Sequence, residues 1–155
     1  SGGNNLREFS QGVMYDLACW ATYGGKAELL EFWIQKGSLN NPNNYGFLGK
    51  SYFTDLSYIA AENGHLECLE VLHSNHWSTS IINPRANANP FHIAIENRHS
   101  QCWRYLLDVN DLSITESFQF AGYSIEWKVF CEMDEDVTRE VQKAIDDKRR
   151  QLVTT

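Results

Sequence analysis

The residue pairs in this chain with the clearest chemical potential are two histidine–cysteine pairs with the same spacing. His65 precedes Cys68 by three residues, and His99 precedes Cys102 by three. Two histidines and two cysteines form a ligand set that suits tetrahedral zinc. A cysteine beside a histidine is also the start of a thiol nucleophile, which needs a third group to orient the histidine. Which interpretation holds depends on the elements that carry the four side chains.

Those pairs lie inside a repeated segment. The stretch 55–72 reappears in altered form as 89–106, and a weaker copy occupies 16–33. Because both histidine–cysteine pairs occupy the same position in successive copies, their likeness is explained without a metal. The cysteines also fall on the apolar stripe of a helix, as small buried side chains do. We therefore predict no metal site, no cofactor and no catalytic residue.

Each copy follows one plan, which predicts a helix, a turn and a second helix. A residue able to cap a helix opens the copy at Asp16, Asp55 or Asn89, and Pro90 stands where a first helical turn tolerates proline. Alanines follow in mid-helix, and a turn falls at Gly25, Gly64 and Arg98. The second helices carry apolar residues at spacings of three and four and end near Gly37, Asn75 and Asn110.

The tract Asn89-Pro-Phe-His-Ile-Ala94 resembles the T-P-L-H-x-A signature of the ankyrin repeat, and the segment 60–67 is similar to that family's turn between helices. The resemblance implies an all-α solenoid of helix–turn–helix repeats that binds another protein. It also implies that His92 serves structure, through hydrogen bonds between repeats.

The domain prediction follows from the repeats. Residues 1–3 are interpreted as a cloning scar and 4–152 as one domain, with repeats at about 14–45, 53–86 and 87–112 and a divergent C-terminal cap at about 123–152. A short separate helix over 4–13 is expected to cover the first repeat. The cap is expected to be a hairpin whose second helix carries Val137, Val141, Ala144, Ile145 and Leu152. Acidic residues 134–136 and basic residues 148–150 should complement the dipole of that helix.

Composition narrows the possible partners. The net charge is −7, which disfavours nucleic acid and suits a protein with a basic or neutral surface. No apolar run is long enough for a membrane span. The four cysteines are widely spaced rather than arranged as a disulfide framework, so an intracellular location, cytoplasmic or nuclear, is expected. The oligomeric state stays open.

Contact residues are predicted from the positions that the repeat plan leaves exposed on the concave face and in the loops. Large aromatic side chains are typical anchors of interfaces. The predicted partner-binding set is Tyr23, Tyr45, Phe47, Glu62, Asn63, Trp77, Glu96 and Asn97. For Trp77 the alternative is packing beneath its own loop. The alternative function is a regulatory or substrate-receptor region of a larger enzyme, such as a ubiquitin ligase or a microbial effector.

Overall fold

A computed structural model describes residues 2–37, 56–77, 90–110 and 134–154. These residues form helices joined by tight turns, and no strand occurs among them. In chain order the helices are α1 (Gly2–Tyr23), α2 (Ala27–Lys36), α3 (Leu56–Asn63), α4 (Leu66–Ser74), α5 (Pro90–Glu96), α6 (Ser100–Val109) and α7 (Glu135–Thr154).

Three hairpins are confirmed: α1 with α2, α3 with α4, and α5 with α6. Each turns at a residue with left-handed backbone, with φ of 68° at Gly25, 74° at Gly64 and 61° at Arg98. The next amide closes the turn onto the first helix. The N–H of His65 donates to the carbonyl of Ala60 at 2.9 Å, for example. This is the helix-ending Schellman geometry, in which glycine carries the least strain.

The start of the chain differs from the prediction. A single helix runs from Gly2 through Tyr23, so there is no separate helix over 4–13, and Asp16 does not cap a new one. The segment contains no proline, and a glycine such as Gly12 costs only about 1 kcal/mol within a helix. The exposed Asp16 side chain therefore lies on the helix surface.

The hairpins stack in two layers. The first helices α1, α3 and α5 pack side by side, and the second helices α2, α4 and α6 form the other layer. The core lies between the layers and along the junctions, and its largest fully buried side chains include Phe91, Trp103, Leu69 and Leu72. The chain is thus an all-α helix–turn–helix solenoid, as the sequence predicts.

Small residues sit where the first helices meet. Ala60 in α3 and Ala94 in α5 are both fully buried, and these two helices pack against each other. We expect Ala60→Leu to overpack this junction and to lower the free energy of unfolding by about 1–3 kcal/mol. Urea denaturation measures the change. An unchanged midpoint would show that the junction has room for three more carbons.

The C-terminal helix α7 contacts α6 and covers that end of the stack. Its Val141 and Ile145 are fully buried, whereas Leu152, predicted for the same face, is exposed. Asp134 caps the start of α7, where its Oδ1 accepts the N–H of Val137 at 3.4 Å. The predicted first helix of the cap, with Trp127, Val129, Phe130 and Met133, lies outside the described residues.

One prediction about charges near this end is wrong. The basic residues 148–150 do not occupy the last turn, because α7 continues to Thr154. Lys148 instead donates to carbonyls at the end of α6, including that of Asp108 at 3.2 Å. Arg104 of α6 is exposed and pairs with Glu140 of α7. Among the described helices, none has an apolar stretch long enough to span a membrane.

Candidate functional site

The ends of the three first helices lie next to one another and expose polar and aromatic side chains. Tyr23 at the end of α1 is 52% exposed. Glu62 and Asn63 at the end of α3 are exposed, as is Asn97 just after α5, while Glu96 is half-buried. We call this surface, made by Tyr23, Glu62, Asn63, Glu96 and Asn97, the turn face. The structure therefore brings together five of the eight residues predicted to bind a partner.

Histidines hold the turn face in register. The Nε2 of His65 lies 3.1 Å from the carbonyl oxygen of Tyr23, and the Nε2 of His99 lies 3.1 Å from that of Glu62. Each contact joins one repeat to the next, with Nε2–H as the donor because a carbonyl can only accept. The histidines of the two histidine–cysteine pairs thus tie consecutive turns together.

The glycines of the turns make room for these rings. A Cβ added to Gly25 would lie 2.7 Å from the His65 ring, and one added to Gly64 would lie 2.6 Å from Nδ1 of His99. The third turn has Arg98 in place of glycine, and no histidine follows His99 in the sequence. Arg98 pairs instead with Asp134 at the start of α7. The contacts between successive turns therefore continue to the start of α7, where an ion pair takes the place of the hydrogen bond from a histidine to a carbonyl.

Side chains on the turn face are partly fixed by their own helices. The amide of Asn63 donates to the carbonyl of Ile59 at 2.8 Å, and that of Asn97 to the carbonyl of Ile93 at 2.9 Å. Tyr58 lies one helical turn before Glu62. Burial and the neighbouring Glu62 raise the pKa of Tyr58. Tyr58 was not among the residues predicted for this face, although its spacing of four from Glu62 is the signal for it.

Trp77, one of the residues predicted to bind a partner, belongs to the core instead. Its side chain is 2% exposed, and its ring stacks on that of Tyr15 with centroids 6.3 Å apart. The cause is the turn that ends α4, where His76 adopts a left-handed φ of 60° and the N–H of Trp77 donates to the carbonyl of Leu72 at 2.8 Å. That turn directs Trp77 back onto the core. The other two predicted aromatics, Tyr45 and Phe47, lie outside the described residues.

The cysteines are placed for packing. Cys68 and Cys102 are buried, and Cys19 is half-buried, and all three are free thiols. Burial raises the pKa of each of these thiols to about 11. Since the thiolate is the nucleophile, these groups are protonated and unreactive near neutral pH. The prediction of free thiols is confirmed for these three, and Cys131 lies outside the described residues.

His92 in α5 is largely enclosed, and burial lowers its pKa from 6.5 to about 4. It is therefore neutral in the folded protein at pH 7. Between these two values the unfolded chain binds a proton that the folded chain does not, so stability falls as pH falls. The contribution of His92 to the free energy of unfolding is complete above about pH 6.5 and is lost progressively toward pH 4.

We expect the free energy of unfolding to drop by about 2 kcal/mol more between pH 7 and pH 5 in the wild type than in His92→Gln. Urea titrations at both pH values measure the difference, and the subtraction removes the carboxylates that titrate in the same range. Equal pH slopes in the two proteins would contradict the assignment to His92.

Stacked hairpins, left-handed turns and contacts that repeat from unit to unit define a solenoid of helix–turn–helix repeats. The sequence model described as Ankyrin repeats (3 copies) matches residues 17–117. The chain belongs to the ankyrin repeat family, whose repeats generally act as protein–protein interaction modules and are typically non-catalytic. Comparison with curated proteins and with solved structures finds no significant match.

Proposed function

We propose that this chain is a non-catalytic recognition module that binds a partner protein through the turn face. The observation that carries the proposal is the row of exposed side chains at successive helix ends, fixed relative to one another by His65 and His99. A preorganised row of this kind binds with little ordering cost. Tyr45 and Phe47, which lie outside the described residues, are proposed as further contact residues.

The charge of the turn face favours a basic partner. Glu62 and Glu96 stand at equivalent positions of neighbouring repeats, and the whole chain carries a net charge of −7. Such a field attracts cationic protein surfaces and opposes phosphate backbones. We therefore propose a protein partner with a basic surface rather than a nucleic acid. Association with it should slow as salt rises, because long-range steering is screened.

A reducing compartment, the cytoplasm or the nucleus, is proposed as the place of action. Support comes from the three free thiols in the described part of the chain, two of them fully packed into the core. Disulfides are the usual staples of small proteins in oxidising compartments.

Affinity capture tests the function. The tagged chain is incubated with lysate, and captured proteins are quantified for the wild type, for Glu62→Ala/Glu96→Ala and for Glu31→Ala/Glu70→Ala. We expect the first double variant to lose on the order of tenfold in capture of the specific partner, since a minority of residues dominates an interface. Glu31 and Glu70 lie on the second helices, so the second double variant should retain the partner.

The opposite pattern, with loss only in Glu31→Ala/Glu70→Ala, would assign binding to the second helices and contradict the turn face. Matching circular dichroism melts of the three proteins are needed, because the comparison assumes an intact stack in each. Tyr23→Ala extends the test to the aromatic end of the face.

A further inference from the structure

The N-terminal end of the stack exposes apolar side chains on both of its helices. Val13 and Trp20 of α1 are 40% and 74% exposed, and Leu29 and Phe32 of α2 are 46% and 50% exposed. Val13 and Trp20 are two helical turns apart, and Leu29 and Phe32 are one turn apart, so each pair forms a stripe on its helix. We call these four residues the N-terminal end face.

Aligning the first repeat with the second shows that two of the positions exposed on this face are buried in the second repeat. With Ala21 and Ala60 aligned, Trp20 stands where α3 has Ile59, and Leu29 stands where α4 has Cys68. Ile59 is 2% exposed and Cys68 is fully buried. In the second repeat these positions are covered because α3 packs against α1 and α4 against α2, whereas no described helix covers Trp20 and Leu29 in the same way.

The two ends of the stack are not equivalent. At the C-terminal end α7 covers α6, joined to it by the Arg104–Glu140 pair and by Lys148 at the α6 carbonyls. The outer surface of α7 is rich in charged residues. Among the described residues, the large exposed apolar side chains at the C-terminal end are Leu152 and Val153 in the last turn of α7, whereas the N-terminal end face carries four over two helices. The broader apolar surface that a second copy offers to the N-terminal end face is therefore its own N-terminal end face. Such a pairing is closed and two-fold symmetric.

We propose that the N-terminal end face is a homodimer interface in which the α2 helices of two copies pack antiparallel about Phe32. Charge complementarity supports this arrangement. Glu28 lies four residues before Phe32, Lys36 lies four residues after it, and both are exposed. Antiparallel pairing centred on Phe32 sets Glu28 opposite Lys36 of the partner subunit, and the symmetry repeats the pair on the other side.

The size of the face is consistent with a dimer. Large aromatic side chains bury roughly 150–250 Å² each, so the four residues expose on the order of 400 Å² of apolar surface. The largest apolar patch on a typical monomer is roughly 300–600 Å² and is often functional, so this face is of that size. The polar rim of α1 and α2 brings it toward the roughly 800 Å² per partner of a standard interface. The turn face is a separate surface, so this proposal does not rest on the proposed function.

Sedimentation equilibrium over a wide range of protein concentration tests the proposal. We expect the mass to rise from 17.8 kDa at low concentration to twice that value. Phe32→Glu and Trp20→Glu should each weaken the dimer by about thirtyfold or more, as loss of an interface anchor does. Leu152→Glu is the matched control, because it places the same charge at an exposed apolar position of α7 and should leave the dimer intact.

A charge exchange tests the orientation of the helices. Glu28→Lys alone and Lys36→Glu alone should weaken dimerisation by placing like charges opposite each other, and the double variant should restore it. A wild type that stays monomeric at every concentration overturns the proposal, as does a dimer that persists in Phe32→Glu. Equal dimerisation in all the charge variants also overturns it. Capture of a different protein by a monomeric chain through Phe32 would assign the face to that protein and overturn the homodimer.

Discussion

Replacing Trp77 with alanine should lower the free energy of unfolding by about 3–5 kcal/mol. The indole ring is 2% exposed and stacks on Tyr15 of α1, so its removal leaves a cavity between the first and second repeats. Neighbouring side chains are held by the helices that carry them, which limits how far the cavity can collapse. Chemical denaturation at fixed pH measures the loss.

Tyr23→Ala is the matched control for this prediction. Tyr23 and Trp77 are both aromatic and both belong to the predicted partner-binding set, but Tyr23 is 52% exposed. Its truncation should change stability by only about 0.5 kcal/mol. A Trp77→Ala protein with wild-type stability and lost partner binding would restore Trp77 to the binding set and refute its structural role.

The repeat hairpins could be predicted because several local signals agree. Glycines at turns, alanines at the junction of first helices and apolar stripes at helical spacing all mark the same boundaries. α2 ends where Gly37 was predicted to stop it, and α5 begins at Pro90 as predicted. Signals of this kind act within a few residues, so one sequence suffices to read them.

What the sequence did not reveal depends on contacts between distant residues. The burial of Trp77 follows from a left-handed His76, and histidine gives a weaker signal for that backbone than glycine does. The pairing of Arg104 with Glu140 joins residues far apart in sequence, and so does the reach of Lys148 to the end of α6. The exposure of Trp20 becomes informative only when its aligned position in the second repeat is known to be buried.

The exposed positions on the turn face follow from the repeat plan, whereas the hydrogen bonds that hold this face in register do not. Tyr23, Glu62 and Asn63 are exposed at the helix ends, where the repeat plan puts them, because that plan assigns every residue a position relative to the turn. The bonds from His65 and His99 to the preceding turn could not be predicted that way, since they join one repeat to another. The signal in the sequence is a glycine at the turn of one repeat and a histidine just after the turn of the next, as with Gly25 and His65 and with Gly64 and His99. Its physical cause is the contact between ring and glycine.

Gly64→Ala should lower the free energy of unfolding by about 2–3 kcal/mol, because two effects act together. The backbone has φ of 74°, which costs a residue with a Cβ roughly 1–2 kcal/mol. The new Cβ would also lie 2.6 Å from Nδ1 of His99, so the ring must move and lose its bond to the Glu62 carbonyl, worth about 1 kcal/mol.

Two further variants separate these effects. Gly24→Ala is the control for adding a methyl group near a turn, since its Cβ would meet nothing closer than 3.6 Å and its φ is not positive, and its stability should stay within about 0.5 kcal/mol of wild type. In Gly64→Ala/His99→Ala the ring contact is already absent, so the loss should be smaller than the sum of the two single losses. Strict additivity would mean that the His99 ring and Gly64 do not constrain each other, and that backbone strain alone selects glycine at this turn.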